Sequence, residues 1–167
     1  RQLSILSPKL WIYTNFDCNL SCGYCVAESS PVAPRRALGL EDIQRISDEA
    51  LEIGFEQIFL TGGEPFLLKD IYHILAYTSE RMPTTVLTNA MLFDSKQLEQ
   101  LQGIANANLN IQVSLDGGSP AAHDPFRGPG TWRKTVEGIK LLQSNGFQVS
   151  TRTTVTPANA DVLDDLH

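Results

Sequence analysis

No stretch of this 167-residue chain is apolar for long enough to cross a bilayer as a helix, and no secretory pattern opens it. Nothing here points to a membrane. Basic residues are also scarce: 13 Lys and Arg stand against 19 Asp and Glu, for a net charge of −6. A general nucleic-acid surface needs clustered Lys and Arg, so the charge balance argues against that class. There is no internal repeat and no low-complexity segment. Cysteine is limited to three residues, and three cannot pair off as disulfides. Free thiols fit a reducing compartment, which predicts a cytoplasmic protein. What remains is ordinary: 42% hydrophobic and 19% charged residues, with length enough for one core. The chain opens on Arg1 rather than Met and closes on Asp161-Val-Leu-Asp-Asp-Leu-His167, which reads as a helix just beginning. Both ends read as cut, so residues 1–167 are expected to be one truncated domain of a longer protein.

Periodicity divides the chain into alternating strands and helices. Residues 10–14 form a β-prone run and a first strand. Leu40, Ile43, Ile46, Ala50 and Leu51 recur at helical spacing, with Gly54 as a stop. Residues 55–60 read as a second strand, closed by Thr61-Gly62-Gly63-Glu64-Pro65. Ile71, Ile74 and Leu75 mark a second helix that must end before Pro83. Residues 84–88 are a third strand followed by Asn89. Ser95 is the expected cap of a helix carrying Leu98 and Leu101. Residues 109–115 are a fourth strand ending at Asp116-Gly117-Gly118. Pro120, Pro125, Gly128, Pro129 and Gly130 predict a loop, and Thr131 the cap of a helix with Trp132, Val136, Ile139 and Leu142 on one face. Gly146 stops it. Residues 147–155 are a fifth strand, and Asn159 opens a last helix. Strand-then-helix alternation implies an α/β fold with a parallel sheet and right-handed crossovers. Periodicity alone leaves a barrel and a doubly wound sheet both open. In either, ligands gather beyond the carboxyl ends of the strands, and the polar or unusual residues of this chain fall at that rim.

All three cysteines crowd into eight residues, Cys18-Asn-Leu-Ser-Cys22-Gly-Tyr-Cys25. Three free thiols in one loop are an oxidation liability unless they share a use, and holding a metal centre as thiolates is that use. Three ligands leave one coordination position open for a small molecule, as in catalytic metal sites. The other reading is a structural zinc site with His73 or His123 as fourth ligand. Gly62 and Gly63 let backbone approach a ligand closely. Ser114 and Asp116 offer hydrogen-bonding groups at the end of the fourth strand, where Asp-Gly is also a common turn. Arg152 offers a planar two-pronged donor for a carboxylate, or a structural ion pair.

The Cys18, Cys22 and Cys25 spacing, with Tyr24 before the last cysteine and Gly62-Gly63-Glu64-Pro65 after the second strand, resembles the signature of radical S-adenosylmethionine (SAM) enzymes. The resemblance spans residues 9–167. It implies a partial (β/α) barrel, with five β/α units present of an expected six. It implies a 4Fe–4S cluster on the three cysteines, with SAM on the fourth iron. Reductive cleavage of SAM then yields a 5′-deoxyadenosyl radical that abstracts hydrogen from a substrate. The SAM contacts it suggests are Tyr24, Gly62, Gly63, Glu64, Asn89, Ser114, Asp116, Arg152 and Thr154. Residue 90 is Ala where many relatives have Gly, which puts a left-handed backbone there in doubt. His123, Asp124, Arg127 and Gly128 are similar to a pattern in the branch with a C-terminal SPASM extension, which matures peptides, activates sulfatases and modifies tetrapyrroles. His123 is there a candidate base or a surface loop residue. The implied partners are an electron donor such as flavodoxin or ferredoxin, and a peptide or small-molecule substrate.

Overall fold

The computed structural model describes residues 7–105, 108–157 and 159–166. Five strands form one sheet: β1 (Lys9–Asn15), β2 (Gln57–Gly62), β3 (Thr84–Thr88), β4 (Leu109–Ser114) and β5 (Val149–Arg152). All neighbours are parallel and the strand order is the sequence order. A doubly wound sheet reverses its strand order at a switch point. Here no reversal occurs, which leaves the barrel winding. Between the strands run α1 (Leu40–Glu52), α2 (Ile71–Arg81), α3 (Ser95–Gln102), and the pair α4 (Pro120–Arg127) and α5 (Thr131–Ser144).

Alternate strand residues point to opposite faces. Ile12, Ile58, Leu60, Val86, Ile111 and Val113 face the helices, where Ile43, Ile74, Leu75, Leu101 and Leu142 meet them in one core. Each such side chain contributes about 1.5–3 kcal/mol by leaving water. The opposite face is concave. Arg152 of the last strand has its guanidinium carbon 5.8 Å from the ring centre of Trp11 in the first. On a flat sheet those strands would lie about 19 Å apart, with side chains standing perpendicular and unable to meet. The sheet therefore curls toward this face, as a barrel wall does.

Several element boundaries differ from the sequence expectation, each for a local reason. β2 begins two residues late because Phe55 N–H is taken by the Ala50 carbonyl at the end of α1 (2.9 Å). The cap of α3 is Asp94, not Ser95: its carboxylate accepts from Lys96 N and Gln97 N. The expected loop after β4 contains helix α4. Its two prolines suggested a breaker, yet Pro120 occupies the first turn, where no N–H is missed. Thr131 does not cap α5. Gly130 holds the cap position, and the Asp124 carboxylate accepts from Gly130 N (2.7 Å) and Trp132 N (2.8 Å). β5 is four residues long, not nine. Asn159 opens no α-helix: residues 159–161 form turns, and a 3-10 turn follows at Leu163–Leu166. Residue 167 of that expected helix lies outside the described residues.

Candidate functional site

The site forms at the carboxyl rim of β1 to β4. The chain leaving β1 turns into the cysteine loop, and residues 30–38 return alongside it as a strap. Cys18 N donates to Ser30 O (3.2 Å) and Phe16 N to Arg36 O (3.2 Å). Ser29 N donates to Cys25 Sγ (3.4 Å) and Leu20 N to Cys18 Sγ (3.4 Å). All three thiols are free and half-buried, and they line one open cavity. The same wall includes Tyr24, Gly62, Gly63, Glu64, Asn89, Ser114 and Arg127. Burial pushes the Cys18 thiol up to about 11 and raises that of Cys22. Without a bound cation both are therefore protonated at neutral pH, and a metal centre must displace those protons.

The glycine pair has a structural use that the sequence reading did not include. Gly62 has φ +131, and a Cβ there would strike the Asn15 carbonyl. A Cβ on Gly63 would strike the Asp17 carbonyl. Gly63 N donates to Asn15 O (2.8 Å) and Glu64 N to Asp17 O (3.0 Å). The missing side chains thus let the loop after β2 clamp the root of the cysteine loop while lining the cavity. Buried Asn15, unmarked in the sequence, completes the clamp by donating to Asp17 O (2.9 Å) and Glu64 O (3.1 Å).

Glu64 is buried, and its carboxylate accepts from Thr88 Oγ1 (2.8 Å), Asn89 N (2.8 Å) and Phe66 N (3.2 Å). Burial nevertheless pushes its pKa up to about 7. Its role is to tie the glycine loop to the end of β3. Asn89 extends the tie, donating from Nδ2 to Asn19 Oδ1 (2.7 Å) beside Cys18. Ala90 does take the left-handed backbone, φ +59, despite its methyl group. Its N–H donates to Thr88 Oγ1 (3.0 Å) and its carbonyl packs on Gly138 of α5. The surroundings impose a conformation that costs about 1–2 kcal/mol for a non-glycine residue.

Three expected SAM contacts are not on the cavity wall. Asp116 lies behind it, 1% exposed, as the hub of a network. Its carboxylate is paired with Arg127 (Nε at 2.6 Å, Nη2 at 3.3 Å), accepts from Thr154 N (3.0 Å) and is bonded by the Tyr24 hydroxyl. Its own N–H donates to His123 Nδ1 (3.1 Å), and Asn159 Nδ2 donates to its carbonyl. Burial raises the Asp116 pKa, but the bonds and charge of Arg127 together with the bonds from Tyr24 and Thr154 outweigh it, and the net shift is downward. With its acceptors engaged, the carboxylate has none to spare for a ribose. Thr154 N–H is spent on Asp116, and Arg152 reaches toward Trp11 instead of the thiols. The cation that does line the cavity is Arg127, which the sequence marked only through its Arg-Gly pattern. His123 is buried rather than a surface residue, with a pKa pushed down to about 4 by burial and by Arg127. Among the described residues, no three His, Cys, Asp or Glu side chains converge closely enough to hold a single ion, so the zinc arrangement has no geometric support.

The fold and site together define a class: a parallel partial barrel whose rim presents three thiols beside a glycine-rich clamp. The chain belongs to the radical SAM superfamily, whose model matches residues 12–166. It is 32% identical over 148 residues to the AdoMet-dependent heme synthase of Methanosarcina barkeri, covering 87% of this chain and 42% of that protein. It is 32% identical over 151 residues to the antilisterial bacteriocin subtilosin biosynthesis protein AlbA of Bacillus subtilis, covering 89% of this chain and 33% of that one. The crystal structure of Streptococcus suis SuiB bound to S-adenosylmethionine superposes with a TM-score of 0.79 at 25% identity, over 97% of this chain and 38% of SuiB. The chain spans less than half the length of each of these proteins.

Proposed function

We propose that this chain carries the SAM- and cluster-binding part of a radical SAM enzyme that abstracts hydrogen from a peptide or another biosynthetic intermediate. The observation that carries this reading is the single cavity shared by Cys18, Cys22, Cys25, Gly62, Gly63, Asn89 and Ser114. The donor set fits a 4Fe–4S cluster: three soft sulfur ligands on one loop, spread around a cavity with an open side. When bound there, the cluster supplies the electron that cleaves SAM reductively to a 5′-deoxyadenosyl radical.

The protein's part is to hold and orient. Gly62 and Gly63 present backbone to the amino end of SAM, and Ser114 offers a hydroxyl to its ribose. Tyr24 lies on the same wall. Arg127 is the cation in position for the SAM carboxylate, held by Asp116 on two of its nitrogens with Nη1 left over. The reducing electron requires a donor protein of the flavodoxin or ferredoxin kind, and a cytoplasmic location suits free thiols and such a donor.

Anaerobic reconstitution of the full-length protein with iron and sulfide tests the reading. About four irons per chain, with acid-labile sulfide and a paramagnetic signal that SAM perturbs, is the expected result. Each Cys→Ser change should abolish 5′-deoxyadenosine formation with dithionite. One zinc and no sulfide would refute it.

A further inference from the structure

The outer side of the cysteine loop differs from the rest of the surface. Val26 and Val32 are each 91% exposed, more than any other large hydrophobic side chain among the described residues. A single exposed apolar residue is ordinary, but these two sit on successive turns of one loop. Val26 lies in a turn closed by Glu28 N donating to Cys25 O (3.0 Å), and Val32 in one closed by Ala33 N donating to Ser30 O (3.2 Å). Both turns are tied to cysteines: Val26 follows Cys25 directly, and Ser30 O also accepts from Cys18 N. The outside of the loop at these valines is therefore a short step through backbone from the thiol cavity. Beyond Val32 the strap carries Arg35 and Arg36, both exposed, and residues 29–40 contain no Asp or Glu. Neither arginine meets a carboxylate within ion-pair distance among the described residues. Arg36 is held in place, its guanidinium carbon 4.7 Å from the ring centre of Phe16. Pro31 and Pro34 stiffen the backbone between the valine and the arginines. The flanking carboxylates in the sequence are Glu28, Glu41 and Asp42, and that of Asp42 accepts from Gly39 N (3.2 Å). The strap is thus a locally basic stretch in a chain that carries −6.

We propose that this outer face is the docking surface for the electron donor, and that the donor is an acidic flavoprotein that turns the hydrocarbon edge of its flavin toward Val26 and Val32. The inference rests on the radical SAM reading for why an electron must enter here. Two features select the partner. The two arginines suit a carboxylate-rich rim, which steers and orients an approaching protein by charge. The two valines suit an apolar tip, and the dimethyl-substituted ring edge of a flavin is one. An iron–sulfur donor has no such hydrocarbon edge on its redox group. The step moves one electron from the reduced flavin to the cluster and forms no bond between the proteins. The inside of the loop holds the thiols and SAM, so the donor and SAM approach from opposite sides and do not compete.

The test uses the full-length protein and a bacterial flavodoxin, with a plant-type ferredoxin for comparison. Calorimetry at low salt scores flavodoxin binding whether or not the cluster is loaded. Joint Arg35→Glu and Arg36→Glu changes should weaken it about tenfold or more and flatten its salt dependence. Joint Arg35→Lys and Arg36→Lys changes should keep most of the affinity, and Val32→Asp should lose it. The charge-reversed and Val32→Asp variants should also make 5′-deoxyadenosine about tenfold more slowly with limiting reduced flavodoxin. With dithionite they should match the wild type, with iron content and SAM affinity unchanged. A Val32→Cys variant, loaded with its cluster, should react with a sulfonated maleimide, and saturating flavodoxin should protect it. Equal flavodoxin binding by the wild type and the charge-reversed variant overturns the proposal, as does a ferredoxin that depends on these residues when the flavodoxin does not. An unreactive Val32→Cys also overturns it, since the face would then be covered by the rest of the chain. A wild type that makes no 5′-deoxyadenosine with dithionite sinks the radical SAM reading alone, because flavodoxin binding is scored without it.

Discussion

At the scale of single residues, Asp116 and His123 show how a rim can depend on buried groups set behind the cavity wall. Asp116 joins the cysteine loop through Tyr24, α4 through Arg127 and the exit of β5 through Thr154. Its ion pair with Arg127 is buried on both sides, 1% and 8% exposed. Removing one partner strands the other charge. Asp116→Asn should therefore cost about 3–5 kcal/mol in urea unfolding of the cluster-free protein. The double change with Arg127→Met should recover part of that loss, whereas additive losses would show that the two residues act independently. His123 accepts from Asp116 N at Nδ1, so the neutral ring carries its proton on Nε2. Burial and Arg127 depress its pKa to about 4, while Asp116 and Asp124 oppose the shift. In the unfolded chain it takes a proton near 6.5, so the unfolded state binds more protons between those values. Stability from this residue is complete above pH 6.5 and fades as pH falls toward 4. Against His123→Gln, the wild type should lose about 3 kcal/mol of relative stability across that window in parallel denaturant titrations. Superimposable pH curves would remove His123 from the account.

At the scale of elements, α5 fixes the residue that follows β3. A Cβ at Gly138 would overlap the Ala90 carbonyl, and Thr135 Oγ1 donates to Asn89 O (3.0 Å). The helix thus approaches the left-handed turn as closely as backbone allows. Gly138→Ala should destabilise the protein by about 1–3 kcal/mol through overpacking, and shift Asn89 off Asn19. Thermal melting reads the first effect, and a weaker grip on SAM by the loaded protein reads the second. A gain in stability, as helix propensity alone would give, would contradict the packing argument. The regular helices α1, α2 and α5 were legible because their apolar residues recur at helical spacing and face one core. Helix α4 was not. Eight residues with two prolines carry no periodic signal, and what holds them is tertiary: Gly23 N donates to Phe126 O (2.8 Å) and Arg127 pairs with Asp116. The cap of α5 was missed for a related reason, since Asp124 caps it from inside α4.

At the scale of the whole molecule, ligands should set the stability of the rim more than the core does. The thiol loop is held by hydrogen bonds and glycine contacts, with half-buried cysteines facing an open cavity. Any ligand that binds only the folded form adds stability by mass action. SAM at a hundredfold its dissociation constant should add about 2.7 kcal/mol to the loaded protein. Melting curves with and without SAM check this, and the Cys18→Ser variant should show no SAM-dependent shift. The sequence by itself determined the order of strands and helices, because hydrophobic period follows backbone geometry whatever the partner. It also determined the three-thiol loop and the glycine pair, because spacing on a short loop survives folding unchanged. Periodicity left barrel against doubly wound sheet open; the resemblance carried by the cysteine and glycine motifs pointed to the barrel, and the tertiary structure shows it, since strand order depends on which edges pair. Only the tertiary structure moved Asp116, Thr154 and Arg152 off the cavity wall and put Arg127 on it. Those roles depend on burial and on which charges meet, and residues 11 and 152, or 24 and 116, become neighbours only when the sheet curls and the rim closes over its own loops.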